Sequence, residues 1–192
     1  VALSSIVAMF GTYQIAANGV AQSIWSLAAL VGSAMGPVFI TVIGQCMGAK
    51  DVDQAKCYFS KLIKWSLVFS IVWNVLVLAI TPFILQFYNL ADETKHLIII
   101  LVIIHNIANT VVFPLSGPLS QGLRATGDVK FTMIVSIAST VGGRLVLSII
   151  LALGLHLGVI GIALAMCGDW TIRAIIFYYR YKSNAWTKFE VI

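Results

Sequence analysis

The chain has 192 residues, of which 60% are hydrophobic and 10% are charged, and its mean hydropathy is +0.98. Soluble domains average about 45–50% apolar and about 25% charged residues, so this composition argues against a soluble enzyme or a nucleic-acid-binding domain and excludes disorder. The net charge of +5 is therefore interpreted first as a feature of membrane topology, and no nucleic-acid partner is expected.

Long apolar runs follow one another along the chain, and about 20 such residues are needed to cross a bilayer. Residues 1–10 are apolar but too few, which indicates the end of a truncated span in a longer protein. Five full spans are predicted, over residues 21–47, 62–88, 97–119, 131–153 and 158–179, followed by a polar tail over 180–192. Because the runs are continuous, they predict an all-α polytopic helical bundle rather than a β-barrel.

The basic residues orient these spans in the membrane. With the loop at Lys50 placed in the cytoplasm, ten of the twelve Lys and Arg residues lie on the cytoplasmic side. Only Lys95 lies outside, and only Arg144 lies within the bilayer. This asymmetry follows the positive-inside rule. It predicts a multi-pass protein of the cell membrane with a cytoplasmic C-terminus.

Three of the prolines in the predicted spans, Pro37, Pro114 and Pro118, lie close to glycine residues. A proline removes one helical hydrogen bond and kinks the helix. Such positions are candidate hinges in a transporter; the alternative is plain structural kinking.

Charged residues inside the membrane are costly and therefore informative. Arg144 and Asp169 lie at depths of roughly 16 and 21 Å on consecutive antiparallel helices, counted from the outer turn near Leu155. Arg173 follows Asp169 by one helical turn. We predict an ion-pair cluster of Arg144, Asp169 and Arg173, which either fixes two helices structurally or relays a proton or ion.

A second polar group comprises His105, Asn106 and Asn109, in the span over 97–119. His105 and Asn109 share a helix face. These side chains either line a substrate or cation pathway or form hydrogen bonds between helices. The sequence contains no catalytic motif. Its three cysteines offer no metal-site spacing, so neither a catalytic nor a metal site is predicted.

Four segments, in this order and spacing, resemble one family. They are Ile15-Ala-Ala-Asn18, Ile43-Gly-Gln-Cys-Met-Gly-Ala49 with Ala55, Gly122-Leu-Arg-Ala-Thr-Gly-Asp-Val-Lys-Phe131, and Gly168-Asp-Trp-x-x-Arg173 with Arg180 and Trp186. The series is similar to the C-terminal half of MATE (multidrug and toxic compound extrusion) transporters and covers essentially the whole chain.

The resemblance implies a twelve-helix protein of two six-helix lobes, of which this chain is the C-terminal one, so the main partner is the missing N-terminal lobe. It implies a secondary active antiporter that exports drugs and organic cations, small and often amphiphilic, in exchange for Na⁺ or H⁺ by alternating access. No cofactor is implied besides that coupling ion. The acidic coupling residues of some members have no counterpart in the span over 97–119. Two alternatives are a flippase for lipid-linked sugars, which needs a basic cavity, and a non-transporting membrane scaffold.

Overall fold

The computed structural model describes residue 7 and residues 10–88 and 90–189. They form seven helices without a β-strand: α1 (Thr12–Ala28), α2 (Leu30–Gly48), α3 (Val52–Gln86), α4 (Asp92–Ser116), α5 (Pro118–Ala125), α6 (Val129–Gly154) and α7 (Gly158–Lys182), followed by a 3₁₀ turn over Ala185–Lys188. Five segments in this part of the chain are long and apolar enough to cross a membrane, if α4 and α5 are taken together. The predicted all-α membrane bundle is confirmed.

The first predicted span differs most from the structure. The polar residues after Gly11 do not interrupt a helix, because they form the first turn of α1, which begins at Thr12 rather than near residue 21. Only Ala29 separates α1 from α2, and its backbone remains helical, with its N–H 2.8 Å from the carbonyl of Trp25. Residues 12–48 therefore form a nearly continuous helical segment. Of the predicted partial span over 1–10, only Val7 and Phe10 lie within the described residues.

Helices extend into the segments expected to be loops. Helix α3 begins at Val52, in the loop predicted at Lys50 between the spans over 21–47 and 62–88. The carboxylate of Asp51 caps this helix, because it accepts a hydrogen bond of 2.9 Å from the N–H of Gln54. The 35 residues of α3 span about 52 Å, more than the roughly 30 Å of hydrocarbon. The first turns of α3 therefore extend beyond the membrane.

Helix α4 lies at the centre of the bundle and packs against α1, α3 and α7, while α2 packs against α3 and α5. Helix α6 packs along α7 and is the least enclosed of the five spans. Helices α6 and α7 approach each other closely at Gly161, where a Cβ would lie 2.6 Å from the α6 backbone at Leu151 and Ala152. The glycines at 142, 143 and 168 do not meet the opposing backbone.

The C-terminal segment folds against the bundle rather than extending as a polar tail. Trp186, which lies within the predicted polar tail, is 0% exposed. Its ring centroid lies 4.8 Å from that of Phe59, and its Nε1 donates a hydrogen bond of 3.0 Å to the carbonyl of Tyr181. Beside it, Arg180 binds the buried carboxylate of Asp128 at 2.7 Å and joins α7 to the loop before α6. These side chains form a cluster that closes the end of the bundle where α7 ends, here called the C-terminal cluster.

Candidate functional site

The polar face of α4 is enclosed by helices of this chain. His105, Asn106 and Asn109 are 1%, 4% and 1% exposed. His105 Nδ1 lies 2.8 Å from the carbonyl of Leu101, and Asn106 Nδ2 donates a hydrogen bond of 3.0 Å to the carbonyl of Val102. Because a carbonyl can only accept, Nδ1 of His105 carries a proton. For the same reason, the oxygen of Asn106 points away from its own helix.

Several polar atoms of this face have no hydrogen-bond partner among the described residues. They are Nε2 of His105, Oδ1 of Asn106 and both amide atoms of Asn109. A buried polar atom without a partner costs about 1–3 kcal/mol, so it indicates a place for water, an ion or a substrate group. No hydrogen bond from these three side chains to another helix is present in the described part of the chain, although helix–helix bonding was one alternative.

Two tryptophans from other helices complete the surroundings of His105. The indoles of Trp25 on α1 and Trp170 on α7 stack with ring centroids 5.7 Å apart, and they lie 6.4 and 6.5 Å from the imidazole. Phe113 of α4 contacts Trp170 edge-on at 5.4 Å. Neither tryptophan was predicted to line a site. For Trp170 the available signal was its position in the middle of an apolar span, away from the interfaces where tryptophan is common. Trp25 gave no such signal, because it lies near the start of the predicted span over 21–47.

Helix α3 presents a polar face with the same properties. Ser66, Ser70 and Asn74 recur at intervals of four residues, and none is more than 3% exposed. The Nδ2 of Asn74 donates a hydrogen bond of 2.9 Å to the carbonyl of Ser70. The Asn74 oxygen and both serine hydroxyls have no partner among the described residues. Together with α4, this face gives the lobe an interior of neutral polar groups.

The predicted ion-pair cluster is only partly correct. Asp169, 0% exposed, is bound by Arg173 with an N–O distance of 2.7 Å, and the hydroxyl of Ser139 donates a hydrogen bond to the same carboxylate. Arg144 is not part of this pair. Its Nη2 contacts the sulfur of Met166, and within the described residues it makes no ion pair. The predicted contact between Arg144 and Asp169 is wrong.

The register of α6 against α7 explains this difference. Arg144 lies 11 residues before Leu155 and Met166 lies 11 residues after it (155 − 144 and 166 − 155), so these two side chains are level. The segment Ser139–Leu145 is π-helical, which changes the rotation of each residue about the axis compared with an α-helix. Ser139, rather than Arg144, faces the aspartate. A depth estimate based on an α-helix could not show this rotation.

The three prolines occupy different backbone settings. Pro37 lies inside α2 and Pro114 inside α4, and neither ends its helix. Pro118 is the first residue of α5, after a break at Gly117, where φ is −86° and ψ is −78°. Proline is well suited to the first position of a helix because no hydrogen bond is lost there. The hinge role of all three prolines remains a prediction.

The polar side chains of the spanning helices could bind a ligand by hydrogen bonds and by charge. In the described ranges no three His, Cys, Asp or Glu side chains come close enough to hold a metal ion. The membrane-embedded groups are neutral amides and hydroxyls, one imidazole, one compensated ion pair and the guanidinium of Arg144. Such groups can bind and release a polar ligand within an apolar bundle.

The comparisons with known proteins agree with this architecture. A protein-family model described as MatE matches residues 1–150. A curated relative, the uncharacterized transporter YisQ of Bacillus subtilis (strain 168), is 25% identical over 186 residues, which are 94% of this chain and 39% of that protein. A solved MOP superfamily transporter from Pyrococcus furiosus Vc1 (DSM3638) superposes on this chain with a TM-score of 0.88 at 18% identity. The superposition covers all of this chain and 42% of the chain of that transporter. The chain thus spans about two fifths of the length of these two proteins.

Proposed function

Because this chain belongs to the MatE family, we propose that it forms one lobe of a secondary active antiporter that exports drugs and organic cations in exchange for Na⁺ or H⁺. The multi-pass helical bundle and its transporter relatives establish the coarser class, a membrane transport protein. The proposed mechanism is alternating access, in which two lobes rock around a substrate held between them. The proposed location is the cell membrane, with the C-terminus in the cytoplasm.

The observation that supports this proposal most is the enclosed polar interior of α3 and α4. Polar side chains at membrane depth are retained where a pathway or a binding step needs them. Here His105 and Asn109 are fully enclosed, yet three of their polar atoms have no partner among the described residues. A purely structural scaffold would gain stability if such atoms were replaced by apolar groups.

The outer surface of the lobe differs from helix to helix, which suggests where the other lobe and the substrate lie. The exposed face of α3 carries large apolar side chains that suit lipid, such as Phe69, Val72 and Phe83. The exposed side of α1 and α2 also carries large apolar residues, such as Leu30 and Ile40, but it differs from α3 in a series of small and hydroxyl residues. This series comprises Ala16, Gly19, Ser23, Ser26, Ser33, Ala34, Pro37 and Thr41. Small and hydroxyl side chains favour close helix packing or a water-filled cavity. We therefore place the second lobe against α1 and α2.

The coupling carboxylate is proposed to lie outside this chain. Among the described spans, the one carboxylate at membrane depth belongs to Asp169, and Arg173 already neutralises it. A Na⁺ or H⁺ site normally needs an accessible anionic or titratable oxygen. This lobe would then contribute the substrate path and the moving scaffold, while the second lobe would hold the ion.

Driven efflux from proteoliposomes tests the proposal. The full-length protein would be reconstituted with ethidium inside, and an inward Na⁺ or pH gradient would be imposed. We expect gradient-dependent ethidium loss, which is reduced by Asn109→Leu and retained by Val75→Leu, a matched substitution on the lipid-facing side of α3. Efflux that is independent of both gradients would contradict antiport.

One observation favours a second candidate, the flippase for lipid-linked sugars. That function needs an uncompensated basic group in the membrane to hold a pyrophosphate. The sequence predicted that Asp169 neutralises Arg144, whereas the structure assigns Asp169 to Arg173. Transbilayer movement of a fluorescent polyprenyl-diphosphate sugar without ethidium efflux would favour this candidate.

A further inference from the structure

The membrane part of this lobe carries an excess positive charge. The sequence has seven acidic residues, and the first is Asp51, so residues 1–50 supply no carboxylate. Four others lie beyond the hydrophobic spans, Asp128 is bound by Arg180, and Asp169 is bound by Arg173. With Arg144 and Arg173 as cations and Asp169 as the anion, the intramembrane sum is +1.

The excess charge belongs to Arg144. Its side chain is half-buried between α6 and α7, and among the described residues its Nη2 has one partner, the thioether of Met166, which is a weak acceptor. Its Nε is buried and has no partner among the described residues. A guanidinium at membrane depth is expensive unless an anion compensates it. The contacts of Arg144 leave donor N–H groups of its guanidinium available to bind such an anion.

A second unpartnered donor lies on the same side of α6. Ser148 follows Arg144 by four residues, and its segment Val146–Ser148 packs against α7, the helix that Arg144 contacts through Met166. Ser148 is 0% exposed, and its hydroxyl has no partner among the described residues. Arg144 also lies in the π-helical segment Ser139–Leu145, a type of helical irregularity that is frequent at functional sites.

We propose that Arg144 and Ser148 bind an oxyanion, the carboxylate or phosphate of an amphiphile whose apolar part lies along α6. The planar fork of arginine matches the two oxygens of such groups and not a spherical halide. This proposal rests on the proposed export function and adds to its organic cations a second class of ligand, amphiphiles that carry an acidic group, zwitterions included. The same chemistry can come from a soluble amphiphile or from an anionic lipid headgroup.

Equilibrium binding to the full-length protein tests the site without any ion gradient. The protein would be placed in nanodiscs of phosphatidylcholine, and dodecyl phosphate would be titrated while intrinsic tryptophan fluorescence and the thermal midpoint are recorded. Dodecyl maltoside and dodecyl trimethylammonium provide the neutral and cationic comparisons. A parallel set of nanodiscs containing phosphatidylglycerol shows whether a lipid headgroup occupies the same site, because it would then weaken the apparent affinity for dodecyl phosphate.

We expect dodecyl phosphate to bind more tightly than both comparison amphiphiles and Arg144→Gln to weaken it by about tenfold or more. Arg144→Lys keeps the charge without the fork and should give an intermediate affinity, while Ser148→Ala should weaken binding severalfold. Lys130→Gln removes an exposed basic residue and should bind like the wild type.

Equal affinity for the phosphate and the maltoside would overturn the proposal. Unchanged binding of dodecyl phosphate by both Arg144→Gln and Ser148→Ala would also overturn it. If Arg144→Gln fails to fold, unchanged binding by both Arg144→Lys and Ser148→Ala would have the same consequence. A carboxylate of the second lobe that neutralises Arg144 would produce the first of these results. Failure of driven efflux leaves the binding result intact, so the two proposals can fail separately.

Discussion

Substitution of Arg173 and substitution of Arg144 should affect the stability of the folded protein very unequally. Arg173→Gln removes the guanidinium that lies 2.7 Å from a carboxylate that is 0% exposed. The carboxylate would keep the Ser139 hydroxyl as its one remaining partner among the described residues. Removal of one partner of a buried ion pair costs about 3–5 kcal/mol. Because the Arg173 side chain is 19% exposed, we expect the lower end, about 3 kcal/mol.

Arg144→Gln should behave differently, because it removes a charge that has no carboxylate partner. We expect no loss of stability, or a small gain. Apparent thermal midpoints of the full-length protein in detergent, followed by tryptophan fluorescence, provide the ranking. The double variant Arg173→Gln with Asp169→Asn should lose less than the sum of the two single variants, because the pair is broken only once. If Arg144→Gln were instead as destabilising as Arg173→Gln and coupled to Asp169→Asn, the assignment of the ion pair would be refuted.

Three further substitutions test the packing and the polar interior. Gly161→Ala places a methyl group against the backbone of α6 and should lower the free energy of unfolding by about 1–3 kcal/mol. Gly142→Ala places its methyl group in open space and should leave the free energy of unfolding unchanged. The thermal midpoints of the two variants test this difference. Trp186→Ala empties the centre of the C-terminal cluster and should cost about 3–5 kcal/mol. Tyr179→Ala, at a side chain that is 71% exposed, should leave the midpoint and the membrane yield unchanged. Asn109→Leu removes unpaired buried polar atoms and should raise the thermal midpoint while it lowers efflux; a lower midpoint would show that the amide has a structural partner.

The number of spans and their helical nature could be predicted from the sequence because hydrocarbon imposes one strong rule. Every backbone polar group in the bilayer must be bonded within its own segment or a closed barrel, so long apolar runs become helices. The ends of the helices follow weaker rules. Thr12 begins α1 although its neighbours are polar, and Val52 begins α3 inside a charged stretch. The length of an apolar run does not predict these helix starts, because a helix can continue beyond the bilayer.

The pairing of side chains was less predictable, because it depends on rotation about each helix axis. Arg173 lies one turn from Asp169 on the same helix, and this part of the predicted cluster required no knowledge of packing. Arg144 lies on another helix, and its direction is set by a π-helical segment that no sequence pattern announces. Trp186 was misplaced for a related reason. Tryptophan near a membrane surface usually anchors there, but here the aromatic ring of Phe59 offers it a buried site.

The central claim is that this lobe belongs to an exporter driven by an ion gradient. Its most direct measurement is ethidium efflux from proteoliposomes that contain the full-length protein, with Na⁺ and pH gradients imposed separately. We expect efflux that starts when one inward gradient is applied and stops when an ionophore dissipates that gradient. Dye loss that continues at the same rate after both gradients are dissipated would contradict the claim.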